Sequence, residues 1–185
     1  MNIVVHPVRF HLMVKVFKTF VLASLLGALL IFGLPSSAHA ETSPMIAALP
    51  GFKALFSGSR PSNIGVKEGR LAACPSSPNC VVSQGEEDAE HAIAPLTYDS
   101  DMATAVAKLR EVVAAQEGSE VIEQTDTYLY AEFTSKLMGF VDDVEFYFSL
   151  AEPGTIHVRS ASRLGQSDLG VNRKRIEAIR AAFAA

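Results

Sequence analysis

Three runs between Thr127 and Arg163 alternate apolar and polar side chains: Thr127–Thr134, Asp142–Leu150 and Thr155–Arg163. Successive side chains of a strand point to opposite faces, so the alternation predicts three strands of a sheet whose two faces differ in chemistry. Glu152-Pro153-Gly154 supplies a turn between the last two, and Thr125-Asp126 supplies one between the first and a further strand over Glu120–Gln124. One face should carry Leu129, Ala131, Phe133, Val144, Phe146, Phe148, Ile156 and Val158. The opposite face should carry Tyr128, Tyr130, Glu132, Asp143, Glu145, Tyr147, His157, Arg159 and Arg163.

The apolar face needs a cover, and two helical patterns provide it. Met102, Val106, Leu109 and Val113 recur at helical spacing, with Asp99 or Ser100 placed to cap the start and Gly118 to stop the chain. Val171–Phe183 closes the sequence with Ile176, Ile179 and Phe183 on one side. Ile93–Tyr98 reads as a short strand ahead of the first helix. The expected fold is therefore α+β: a two-layer sandwich of mostly antiparallel sheet in the order β-α-β-β-β-β-α, both helices on one face.

The N-terminal half reads differently. Residues 1–40 contain Arg9, Lys15 and Lys18 and no acid, and Phe20–Leu34 is apolar before Pro35-Ser36-Ser37-Ala38-His39-Ala40. A basic head, a short apolar run and a small-x-small end make a secretory signal peptide, with Met13 a suitable true start; an uncleaved anchor is the alternative. Residues 41–90 form a Pro-rich N-terminal segment: six prolines lie from Pro44 to Pro95 (Pro44, Pro50, Pro61, Pro75, Pro78 and Pro95), so this stretch cannot be mostly regular structure. Its apolar start, Met45-Ile46-Ala47-Ala48-Leu49 then Phe52, Leu55 and Phe56, suits a short helix or docking segment, and residues 91–185 form the α+β domain.

Charge narrows the partners. The chain carries sixteen Lys and Arg and twenty Asp and Glu. Removing the three bases of residues 1–40 leaves thirteen against twenty, or −7, which disfavours nucleic acid. Export also favours pairing of the two cysteines, Cys74 and Cys80. Five residues separate them, with no Lys, Arg or His inside the loop, so a structural disulfide is expected over thiol exchange. A metal site would need ligands beyond His91 and His157, and no metal or cofactor is expected.

The charged sheet face carries the candidate chemistry. Asp143 and Glu145 on one strand oppose His157, Arg159 and Arg163 on the next. The plain account is cross-strand ion pairing on a wet surface, worth little per pair. The sharper one is a shallow site in which guanidinium groups bind an acidic ligand beside Tyr128, Tyr130 and Tyr147. Ser167 or Asp168 suits the cap of the last helix, and Arg173 is placed to reach back to Asp142 or Asp143. Leu137, Met138 and Phe140 are expected to fold under the sheet edge.

Pro61-Ser62-Asn63-Ile64-Gly65-Val66, Cys74 to Cys80, Val141-Asp142-Asp143-Val144-Glu145-Phe146, and Val158-Arg159-Ser160-Ala161-Ser162-Arg163 through Asn172-Arg173 together resemble domain of unknown function 1499. The resemblance runs over about 61–183. It implies an exported or chloroplast-type domain, in the periplasm or a thylakoid lumen, and assigns no activity. Val82 stands where that resemblance leads one to expect a hydroxyl or thiol, so no nucleophile is expected there.

Three functions follow as expectations. The favoured one is a non-enzymatic module binding a protein or small acidic ligand through Arg159, Arg163, Glu145, Asp143, Tyr130 and His157, with membrane contact confined to the signal peptide. The second is a hydrolase-like enzyme using Asp143 or Glu145 with Arg159 and Arg163. The third is thiol–disulfide exchange through Cys74 and Cys80.

Overall fold

The computed structural model describes residues 55–85 and 88–185, all within the compact unit Pro44–Ala185. The signal peptide, the start at Met13 and the segment Met45–Phe52 lie outside the described residues. In chain order the elements are β1 (Cys80–Val82), β2 (Leu96–Thr97), α1 (Met102–Ala114), β3 (Ser119–Gln124), β4 (Tyr128–Thr134), β5 (Val141–Phe148), β6 (Thr155–Ser162) and α2 (Val171–Ala184). They build one six-stranded sheet in the order β1-β6-β5-β4-β3, with β2 also pairing β6, and every pairing is antiparallel. The fold is the expected α+β sandwich.

Period two sorts the side chains as the alternation requires. Leu129, Ala131, Phe133, Val144, Phe146, Phe148, Ile156 and Val158 form one core with Val106, Leu109 and Val113 of α1 and Ile176, Ile179 and Phe183 of α2. β3 carries a bulge between Val121 and Glu123. Val121 packs on the helix-side core and Ile122 on the opposite side, and the bulge then sets Glu123 opposite Tyr130.

Several local expectations change. The strand expected over Ile93–Tyr98 shrinks to Leu96–Thr97, because Pro95 has no N–H to donate. The cap of α1 is Asp101, whose side chain accepts from Thr104 N at 2.9 Å, and not Asp99 or Ser100. The helix stops earlier than Gly118, at Ala114 with Ala115 as its C-cap, and Gly118 instead turns the chain into β3: its φ is +74°, and a Cβ there would lie 2.4 Å from Thr134 O. Gly170, with φ +77°, takes the N-cap position of α2 without a side-chain bond. Asp168 still serves that end, accepting from Gly170 N at 2.9 Å and Asn172 N at 2.7 Å.

Candidate functional site

The Arg/Tyr/acid face is not wet. Asp143 and Glu145 are fully buried, and His157 and Arg159 nearly so, and the segment from Arg60 to Leu71 crosses this face as a strap bonded to Glu145 through Gly65 N and to Glu132 through Arg60. Leu71 and Val82 pack with Tyr128 and Tyr130 in a second core, joined by Ile64, Val66 and Ile122. Hence the sheet is covered on both sides, and the expected surface of cross-strand pairs becomes an interior ionic layer. Sequence pattern hid this because the strap has no periodicity and its partners lie far along the chain.

Glu145 sits at the centre, directly opposite Arg159 in the β5–β6 register. Its Oε1 accepts from Gly65 N and from the Tyr128 hydroxyl, each at 2.8 Å, and its Oε2 from Arg159 Nη1 at 3.2 Å. One carboxylate thus ties the strap backbone to β4 and β6. Two residues along β5, Asp143 receives Arg163 through two parallel bonds, Nη2 to Oδ1 at 2.7 Å and Nε to Oδ2 at 3.0 Å. That bidentate fork is the geometry in which arginine holds a carboxylate best. The Tyr130 hydroxyl donates to Asp143 Oδ1 at 2.5 Å and accepts from Arg163 Nη2 at 3.2 Å.

The layer opens toward solvent at Glu132. Its Oε1 lies 2.5 Å from both Arg60 Nη2 and Arg163 Nη2. Burial raises the Glu132 pKa, but the bonds from Arg60, Arg163 and Tyr130 outweigh it and hold the carboxyl below its ordinary value. Burial pushes the Tyr128 and Tyr130 hydroxyls far up, and the adjacent Glu145 and Asp143 charges add to the effect. Both phenols therefore remain protonated donors. Arg163 is held above its ordinary value, chiefly by its bonds to Asp143.

His157 lies beside this network and outside it. Its ring stacks on Tyr147, centroids 6.2 Å apart, and its Nδ1 faces Ser83 Oγ at 3.3 Å. Ser83 Oγ also accepts from Val158 N at 2.9 Å. Nε2 points toward Glu152 Oε1 at 3.5 Å, beyond a good hydrogen bond, and has no hydrogen-bond partner among the described residues. Ser83, His157 and Glu152 share residue types with a hydrolytic relay. Here Ser83 instead closes the β1–β6 ladder, its N–H bonding Val158 O at 2.9 Å.

A second buried polar cluster lies on the helix side and escaped the sequence reading. Asn172, fully buried, accepts from Ser160 Oγ and from Arg175 Nη1, at 2.5 and 2.7 Å. It donates to Asn79 O at 3.0 Å and Ser162 Oγ at 2.9 Å. Arg175, not Arg173, reaches Asp142, at 2.5 Å, and lies over the Phe133 ring. Arg173 instead donates to the Ala89 and Glu90 carbonyls. The missed signal was positional: Asn172 occupies the stripe shared with Ile176, Ile179 and Phe183, so a polar residue there must find interior partners.

Cys74 and Cys80 are joined in a disulfide, with Cys80 buried against β6. The loop they close delivers Asn79, whose Nδ2 donates to Gly165 O at 2.7 Å. The staple and the Asn172 cluster therefore hold the same end of the sheet. Among the described residues, no group of three or more His, Cys, Asp or Glu is arranged to hold a metal ion.

No curated protein matches the chain. Residues 70–183, which contain β1 through α2 almost entire, the disulfide and the Asn172 cluster, match the family model described as protein of unknown function, DUF1499, and the chain belongs to that family.

Proposed function

We propose that the protein is an exported, non-enzymatic binding or assembly module whose ionic face works from inside, seating the strap, and meets an acidic ligand or partner only at Arg60. The observation that carries this reading is the engagement of Asp143 and Glu145. Both are fully buried and held by donors of the chain itself, with both oxygens of each carboxylate occupied. A general acid or nucleophile must be reachable by substrate and able to exchange its partner. Arg60, by contrast, keeps 51% of its side chain in solvent while it holds Glu132. It is the point at which an external carboxylate can share a guanidinium with the layer.

The thiol-exchange reading draws less support, since Cys80 is buried and the loop presents no cation to activate a thiol. The test is titration of residues 44–185 with succinate and with a polyglutamate peptide, followed by amide shifts. Shifts centred on Arg60, Glu132 and Arg163 that vanish in Arg60→Ala are expected. Shifts elsewhere, or none, refute the assignment.

A further inference from the structure

Leu137 and Phe140, expected to fold under the sheet edge, are instead 71% and 38% exposed at the β4–β5 turn. The opposite end of β5 is concave. A cavity of about 610 Å³ opens there, beside the β5–β6 turn, where Tyr98 N bonds Gly154 O. It lies between the β2–α1 connection, one side of α1 and the end of α2. Small-molecule sites occupy about 300–1,000 Å³. Tyr98, Ala105 and Phe183 supply apolar lining. The Tyr98 ring is set by an edge-to-face contact with Phe148, centroids 5.7 Å apart, and Lys108 Nζ stands 5.5 Å from the centre of the Phe183 ring.

The polar groups of the lining divide into an accepting end and a donating end. Ser100 Oγ donates its proton to Asp101 O at 3.0 Å, and Thr104 Oγ1 donates its proton to Asp101 Oδ2 at 2.7 Å. Both hydroxyls therefore have only lone pairs to offer a ligand. Asp99 adds a carboxylate that has no hydrogen-bond or ion-pair partner among the described residues. Lys108 makes the donating end. It follows Thr104 by one turn of α1, about 6 Å along the axis. Its ammonium likewise has no carboxylate partner among the described residues.

We infer that this cavity binds a short zwitterionic peptide, of dipeptide length and with an apolar side chain. The free amino end suits Asp99, Ser100 and Thr104, because the Asp99 and Asp101 charges outweigh the roughly half charge at the start of the α1 dipole. The free carboxylate suits Lys108. Two extended residues span at most about 7 Å, close to the one-turn separation of Thr104 and Lys108. A single amino acid carries both charges on one carbon and is too short for both ends. The cavity belongs to the helix layer and Arg60 to the strap side, so the two assignments stand or fall separately.

The test is titration of the protein with alanyl-leucine, followed by amide shifts. Shifts at Asp99, Thr104 and Lys108 with a dissociation constant on the order of 1 mM are expected for a ligand of this size. N-acetyl-alanyl-leucine, alanyl-leucinamide and free leucine should each bind about fivefold more weakly. Asp99→Asn should weaken alanyl-leucine about fivefold and leave binding of the acetylated peptide unchanged. Lys108→Gln should weaken alanyl-leucine equally and leave binding of the amide unchanged. Both positions are exposed, so circular dichroism and melting of the variants should stay native. Absence of saturable shifts at these residues overturns the proposal, as does an affinity that neither blocked end nor either variant lowers. Shifts centred on Arg60 and Glu132 would also overturn it, while leaving the Arg60 reading intact.

Discussion

Replacing Glu145 by Gln keeps the shape of the central carboxylate and deletes its charge. The amide carbonyl can still accept from Gly65 N and Tyr128 OH, which share Oε1, so two bonds worth about 1 kcal/mol each survive. The loss falls on Oε2, which would become an N–H group facing Arg159 Nη1. Arg159 is left buried, charged and opposed by a donor, a situation that costs about 3–5 kcal/mol. With a urea m-value of roughly 1.5 kcal/mol per molar, the unfolding midpoint should drop by about 2–3 M. Adding Arg159→Met removes the orphaned charge and should return the midpoint to within about 1 kcal/mol of the wild type. Equilibrium urea unfolding of the four proteins gives the coupling energy, expected to be at least about 2 kcal/mol. A single variant that loses less than about 1 kcal/mol, or a double variant no more stable than Glu145→Gln, would refute a dry, mutually dependent pair. Limited proteolysis adds a second readout. Cleavage near Gly65 should rise in any variant that loses the Glu145 acceptor, since that bond holds the strap.

Other outcomes follow from single contacts. Gly118→Ala forces a side chain into a left-handed residue and against Thr134 O, and should cost about 1–3 kcal/mol in thermal unfolding. Asn172→Ala strands Ser160, Asn79 and Arg175 without their partner and should cost about 2–3 kcal/mol by the same measure. The His91 pKa is raised, first by its bond to Asp88, so its contribution to stability is full below the unfolded value near 6.5 and lost as pH rises through the folded value. Asp88→Asn should therefore flatten the pH dependence of the urea midpoint above about pH 6, and a His91 titration that does not move in that variant contradicts the assignment. Cys74→Ser/Cys80→Ser should lower stability by no more than about 2.4 kcal/mol, because the loop is short and two prolines already restrict it.

The sheet and both helices were legible because their information is periodic. Alternation in β4, β5 and β6 placed Glu145, Asp143, Arg159 and Arg163 on one face, and the register puts Glu145 opposite Arg159. What alternation cannot report is what lies above a face. Arg60 reaches a partner 72 residues away and Gly65 one 80 residues away, and neither spacing leaves a local trace. Length of element was likewise hidden where it is set by pairing: β1 exists because Cys80, Val81 and Val82 match Ala161, Ser160 and Arg159. Asn172 was readable in principle, as an amide in an apolar stripe.

The strap is made early and can be seated only late. During synthesis Arg60 and Gly65 emerge well before Glu132 and Glu145, so neither has an acceptor until β4 and β5 exist. The helix-side core draws its residues from Val81 onward and can condense on its own. Closing a loop of some 80 residues is then the final act, and it sets Gly65 N on the Glu145 carboxylate. A chain that emerges residue by residue thus leaves its costliest burial for last.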